Sequence, residues 1–157
     1  MANSCNDCKI GVIGTKTTIQ SGVYSRKIQS ICSSAKVTSL ATPLLVPMIE
    51  EGFVNEKISH QIIANYLSNQ TLSNLDFLIL ACTHYPLIHQ EISDFYNNKV
   101  DVIDSASIVA DSIRTALENK NLLNSNKTTE YQFYVSNFTN SFAESAKFFF
   151  KEEIKIE

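Results

Sequence analysis

The chain has 157 residues, of which 44% are hydrophobic and 18% charged, and its formal net charge is -3 at neutral pH. This length suits one domain with its own hydrophobic core, so intrinsic disorder and a disulfide-dependent scaffold are excluded as fold classes. With 13 basic and 16 acidic residues and no long basic run, the sequence lacks the charge pattern of a nucleic-acid-binding protein.

We predict that residues 1–8 form a flexible leader. They lack the basic and apolar stretches of a secretory signal, and no window reaches the roughly 18 consecutive apolar residues of a membrane helix, so we expect a cytoplasmic protein. In that compartment Cys5, Cys8, Cys32 and Cys82 are expected to be thiols, metal ligands or catalysts rather than disulfides. No second Cys-x-x-Cys pair follows the first at the spacing of a zinc site, so we expect no metal.

Strand and helix patterns then alternate along the chain. Strands are predicted over residues 9–13, 37–40, 77–81, 100–103 and 131–135. Helices are predicted over residues 17–30, 55–69, 86–95, 105–117 and 141–150, with a loop bracketed by Pro43 and Pro47. The strand at 77–81 is apolar throughout, as expected of a central parallel strand. The alternation predicts an α/β fold of three layers with a mostly parallel sheet, in which ligands bind beyond the carboxyl ends of the strands.

The helix predicted over 105–117 carries a stripe of apolar residues. The spacing of these residues follows the helical period, and it predicts that they point inward. The residues of this stripe are Ile108, Val109, Ile113, Ala116 and Leu117.

The turn after the strand at 77–81 contains Cys82, Thr83 and His84. At a helix N-terminus, backbone N–H groups and the helix dipole favour a thiolate at Cys82, and His84 can exchange a proton near neutral pH. The alternative is that Cys82 is an inert core residue. His84 and His89 are separated by five positions, which is not the spacing of two metal ligands on one helical face.

The turn after the first strand reads GTKTT at residues 14–18. Its N–H groups and the hydroxyls of Thr15 and Thr18 could hold a small carboxylate, whereas an ordinary helix cap is the alternative. The turn lacks the Gly-Lys-Ser/Thr ending of a phosphate loop and the third glycine of a dinucleotide-binding turn.

The segment LILACTHYPLI at residues 78–88 closely resembles the second catalytic-cysteine motif of bacterial glutamate racemases, in the aspartate/glutamate racemase family. Residues 10–19, 41–52 and 102–106 resemble neighbouring segments of that family, in the same order. The resemblance covers nearly the whole chain from residue 9 onward. It implies one lobe of a pseudo-symmetric two-lobe fold over residues 9–103, followed by a return segment over 104–157 that packs on the other lobe.

The resemblance implies an isomerase that interconverts L- and D-glutamate without a cofactor and supplies D-glutamate for peptidoglycan. In the family two thiols, one from each lobe, remove the α-proton from one face and deliver a proton to the other. By the match, Cys82 is one thiol, His84 assists its proton transfer and Thr83 binds the substrate. Thr15 and Thr18 would help to hold the charged groups of the substrate.

The first lobe of the family, which carries the other thiol, has no counterpart in this sequence. We therefore expect a chain that is truncated relative to the family and completed by a homodimer or a separately encoded first lobe. Helices of the return segment would then expose an apolar face. The alternative function is a non-catalytic domain that binds a small acid. A third hypothesis, a Cys/His acyl-transfer enzyme, needs an oriented histidine and an oxyanion hole that the sequence does not indicate.

Overall fold

The computed structural model describes residues 7–124 and 131–139, together with 142, 143, 146, 147 and 150. The strands are β1 (Lys9–Gly14), β2 (Lys36–Ala41), β3 (Phe77–Ala81) and β4 (Asp101–Asp104). They form a parallel sheet in the order β2-β1-β3-β4. The first four predicted strands are thereby confirmed, and β3 lies in the interior of the sheet as predicted.

Six α-helices lie within residues 7–124, and three of them differ from the prediction. They are α1 (Lys16–Gln20), α2 (Val23–Ile31), α3 (Leu45–Glu50), α4 (Lys57–Leu67), α5 (His89–Phe95) and α6 (Ser105–Asn119). The helix predicted over 17–30 is divided because Gly22 has a φ of 62°, a left-handed value that interrupts an α-helix. The loop predicted between Pro43 and Pro47 is wrong, since α3 begins at Leu45 and tolerates proline in its first turn, where no N–H is needed.

Two hydrophobic clusters cover the two faces of the sheet. The larger joins α3, α4 and α5 to Ile13 of β1 and to Leu78 and Leu80 of β3, each of which is at most 1% exposed. The smaller joins Ile28 of α2 to Ile10 of β1. Because alternate residues of a strand point to opposite faces, both faces carry a helical layer. The predicted three-layer α/β/α architecture is confirmed.

Of the predicted leader, the structure describes only Asp7 and Cys8. Cys8 is 8% exposed, and its carbonyl accepts a hydrogen bond from the N–H of Lys36 at 2.8 Å. Cys8 is also disulfide-bonded, so the expectation that the chain forms no disulfide is wrong. Cys32 and Cys82 are not disulfide-bonded.

Helix α6 contributes no side chain to either cluster. None of its 15 residues is buried, and Ile108, Val109 and Ile113 are 53%, 52% and 55% exposed. The prediction that this stripe points inward is therefore wrong within the described residues. Helical periodicity identifies an apolar stripe but does not say what packs against it.

The C-terminal predictions are only partly covered by the structure. The strand predicted over 131–135 is absent from these residues, since Phe133 forms only an isolated bridge. Residues 142, 143, 146, 147 and 150 are helical, and the rest of the helix predicted over 141–150 lies outside the described residues. Among the residues with described positions, no helix has both the length and the apolar character needed to cross a membrane.

Candidate functional site

The carboxyl ends of β1, β2 and β3 bring three turns to one edge of the sheet. Gly14, the last residue of β1, is in register with Ala41 on one side and Ala81 on the other. A Cβ atom on Gly14 would lie 3.1 Å from the carbonyl oxygen of Ala81, so glycine allows the strands and the following turn to pack closely. The residues that follow the three strands are Thr15, Thr42 and Cys82. The two turns singled out from the sequence therefore share this edge, as predicted.

Cys82 lies next to a histidine that contacts a carboxylate. The half-buried Sγ of Cys82 is 3.9 Å from Nδ1 of His84. Nε2 of His84 is 3.2 Å from Oε1 of Glu50, the last residue of α3. This arrangement can pass a proton between the thiol and the ring, while the carboxylate holds the ring in one orientation. Sequence reasoning missed Glu50 because no helix was predicted over residues 45–50, the segment that brings it to the site.

Cys82 is not at the N-terminus of an α-helix. A 3-10 helix begins at Tyr85, and the α-helix α5 begins only at His89. The predicted contribution of a helix dipole to the thiolate is therefore wrong. His84, as the neighbouring group that can carry a positive charge, is the local feature that can stabilise a thiolate at this position.

The three predicted substrate-binding threonines differ in their surroundings. Thr83 is exposed, between Cys82 and His84 in sequence. Oγ1 of Thr15 accepts from the N–H of Thr18 at 3.3 Å and lies 2.9 Å from Oγ1 of Thr18. Thr15 is thus the N-cap of α1, which is the alternative that the sequence left open. A substrate carboxylate at this turn would compete with the contact between the two hydroxyls.

The turn from Cys82 to Tyr85, here called the cysteine turn, includes or contacts two buried residues that the sequence analysis did not single out. Thr42 and Tyr85 are each 0% exposed, and their hydroxyl oxygens are 2.6 Å apart. Burial raises the pKa of Tyr85 to about 12, and nearby Cys82 adds to the rise, whereas the hydrogen bond with Thr42 opposes it.

The buried tyrosines predict a loss of stability at high pH. Burial raises the pKa of both Tyr85 and Tyr96 from 10.0 to about 12. Between these values the unfolded chain loses phenol protons that the folded chain keeps, so the free energy of unfolding falls as pH rises from 10 to about 12. Denaturant titrations across this range should show a shallower fall in Tyr96→Phe. An equally steep fall in the variant would contradict the assignment.

The comparisons with known proteins point to one enzyme family, although no protein-family model matches the chain. The chain is 35% identical over 152 residues to glutamate racemase 3 of Caldanaerobacter subterraneus subsp. tengcongensis. The matched region covers 96% of this chain and 56% of the relative. A crystal structure of glutamate racemase from Francisella tularensis subsp. tularensis SCHU S4 in complex with D-glutamate matches with a TM-score of 0.82 and 34% identity, over 94% of this chain and 56% of that one. A glutamate racemase isoform from Bacillus anthracis matches with a TM-score of 0.86 and 31% identity, over 99% of this chain and 58% of that one. The chain spans about half the length of the curated relatives it matches.

Proposed function

Because the chain is a homologue of the glutamate racemases over 96% of its length, we propose that it carries one half of a glutamate racemase active site. In this proposal Cys82 is one of two acid–base groups that interconvert L- and D-glutamate without a cofactor. The observation that carries it is the position of the Cys82 thiol beyond a central strand, 3.9 Å from Nδ1 of His84. D-glutamate formed in this way would supply peptidoglycan synthesis.

The chemistry assigns a separate task to each side chain. The Cys82 thiolate removes the α-proton, and the electron pair left on the α-carbon delocalises into the substrate carboxylate. A second acid on the opposite face then returns a proton to the α-carbon, which inverts the stereocentre. His84 exchanges a proton with Cys82, and Glu50 orients the His84 ring. Thr83, Thr15 and Thr18 are proposed to bind the charged groups of glutamate.

In this proposal the second acid comes from outside the edge that carries Cys82. Among the described cysteines, Cys8 is disulfide-bonded and Cys32 packs against the cluster that includes Ala35 and Cys8, which are at the other end of the sheet. We propose that a first lobe, or a second copy of this chain, supplies the second group. The exposed apolar stripe of α6 is the surface proposed to contact that complementary half, since such stripes mark interaction sites.

The experiment that tests the proposal follows the α-proton of L-glutamate by NMR in heavy water and then resolves the enantiomers. Exchange with formation of D-glutamate supports a complete racemase, and a second-order dependence on chain concentration identifies the homodimer. Exchange with retention of configuration supports a half-site that awaits its partner. A folded chain that binds glutamate without any exchange would overturn the catalytic proposal in favour of the small-acid-binding domain.

His84→Ala is expected to lower the exchange rate by about 10²-fold, because the thiol then loses its proton-transfer partner. Glu50→Gln should have a smaller effect of about tenfold, since the ring stays in place but loses its charged partner. Exchange kinetics at saturating glutamate would measure both. His60→Ala, on the 60% exposed histidine of α4, is the matched control and should leave the rate unchanged. Equal rates in His84→Ala and in the control would contradict the assigned role.

A further inference from the structure

The Thr42–Tyr85 pair connects three strand ends. Thr42 follows β2, and its backbone N–H and its Oγ1 both lie within hydrogen-bonding distance of the carbonyl oxygen of Gly14, at 2.9 Å and 3.3 Å. Gly14 is the last residue of β1. Tyr85 belongs to the turn that follows β3, and its hydroxyl lies 2.6 Å from Oγ1 of Thr42. One buried contact therefore ties the cysteine turn to the ends of the two neighbouring strands.

Both hydroxyl protons of the pair have acceptors. If the hydroxyl of Tyr85 donates across the 2.6 Å contact, the hydroxyl of Thr42 can donate to the carbonyl of Gly14 at 3.3 Å. If the hydroxyl of Thr42 donates instead, that of Tyr85 can donate to the carbonyl of Thr42 at 3.2 Å. Either arrangement leaves no donor unsatisfied, which is the condition under which polar groups are buried at low cost.

The same pair reaches the reacting residues through the backbone. The N–H of Tyr85 donates to the carbonyl of Cys82 at 3.2 Å, which closes the turn that contains His84. The ring of Tyr85 packs in the large cluster with Leu45 and Ile49 of α3. Helix α3 also carries Glu50. The position of Tyr85 therefore fixes where the Cys82 thiol and the Glu50 carboxylate lie relative to the His84 imidazole between them.

Stability alone does not require hydroxyl groups at this position. A phenylalanine and a valine would occupy nearly the same volume without the desolvation cost of two hydroxyls. Tyr96 offers a direct comparison, because its hydroxyl is buried but has no hydrogen-bond partner in the described structure. The hydroxyl of Tyr85 is instead bound in a fixed direction, which is what a positioning role needs.

We propose that the Thr42–Tyr85 pair is a positioning element that holds the Cys82 thiol within reach of His84, an inference that rests on the proposed function. Neither residue touches the reacting atoms. The pair acts by fixing the turn between Cys82 and Tyr85, so that the acid–base geometry exists before substrate arrives. Misplacement of such groups by about 1 Å can lower a rate by about 10²-fold.

The test measures how strongly His84 influences Cys82 with and without the pair. The readout is the rate at which iodoacetamide alkylates Cys82 in the folded chain at neutral pH, quantified by mass spectrometry of the Cys82 peptide. In the parent chain His84→Ala should change this rate several-fold. In a Tyr85→Phe background the same substitution should change it less than about twofold, because coupling between the sites is lost. In exchange kinetics, Tyr85→Phe should lower kcat by about tenfold or more and leave KM within about twofold.

Matched variants separate positioning from general loosening. Tyr96→Phe removes a buried tyrosine hydroxyl without partners, and it should keep the full effect of His84→Ala. Thr42→Val should reproduce Tyr85→Phe, and Thr42→Ser, which keeps the hydroxyl, should restore the parent behaviour. If Tyr85→Phe does not fold, the two Thr42 variants decide the question.

The outcomes distinguish this inference from the proposed function. The positioning role would be overturned if the effect of His84→Ala on the alkylation rate of Cys82 persists in Tyr85→Phe or disappears equally in Tyr96→Phe. It would also be overturned if the parent chain shows no such effect. If the parent chain exchanges no α-proton, the proposed function fails. The alkylation rates of Cys82 in the parent chain and the variants still decide the positioning role, because this measurement needs no glutamate.

Discussion

Cys82→Ala is expected to lower the rate of α-proton exchange from glutamate by about 10²- to 10⁴-fold, the range typical of losing one positioned acid–base group. The substitution removes the sulfur that lies 3.9 Å from Nδ1 of His84 and leaves no other thiol beside that ring in the described structure. The rate is measured by NMR in heavy water, with both enantiomers of glutamate as substrates. Each enantiomer presents its α-proton on a different face, so the loss for one enantiomer identifies the face that Cys82 serves.

Cys32→Ala is the matched control for this result. Cys32 is partly buried like Cys82, but it packs with Ile10 and Ala35, away from the carboxyl ends of the strands. Its removal should change the exchange rate less than about twofold, because it leaves the acid–base groups in place. Equal losses in the two variants would mean that exchange depends on the folded state in general, and the role assigned to Cys82 would be abandoned.

Leu78→Ala should produce the largest loss of stability, lowering the free energy of unfolding by about 2–5 kcal/mol. Leu78 is 0% exposed and lies in β3, between its sheet neighbours β1 and β4 and beneath the large cluster. The substitution leaves a cavity that a central strand cannot close by moving, because both its edges are hydrogen-bonded. Denaturant unfolding monitored by circular dichroism measures the change.

Leu122→Ala is the control because it makes the same chemical change at a position that is 63% exposed. The free energy of unfolding should change there by less than about 0.5 kcal/mol. If both leucine variants unfold at the same denaturant concentration, the packing assigned to β3 is wrong.

The sequence predicts the sheet better than it predicts the helices. The continuous apolar run of β3 and its flanking turns are local signals, so its position and its central placement are both confirmed. The division between α1 and α2 depends on the left-handed backbone of Gly22, which the periodicity of the apolar residues does not reveal. Helix α3 was missed because Pro47 suggests a loop, although proline is compatible with a first helical turn.

The candidate site divides in the same way between local and long-range features. Cys82 and His84 are close in sequence and lie in one turn, so the sequence identifies both, although it does not show how their side chains come to lie 3.9 Å apart. The site also includes Glu50, which α3 brings to His84. It includes Thr42 and Tyr85 as well, which are joined by a buried contact between distant parts of the chain. Hydrophobic periodicity carries no information about such contacts, because it reports which face of an element is apolar and not which element lies opposite.

The isolation of α6 has a consequence for the motions of the chain. Among the described residues, no core cluster includes a side chain of α6, and a helix of 15 residues without tertiary support is only marginally stable in water. Its amide protons are therefore expected to exchange with solvent through frequent local openings, whereas those of β3 exchange only when the domain unfolds. Any surface that covers the apolar stripe would stabilise the closed helix. Slower amide exchange confined to α6 would then show that another surface has covered this helix.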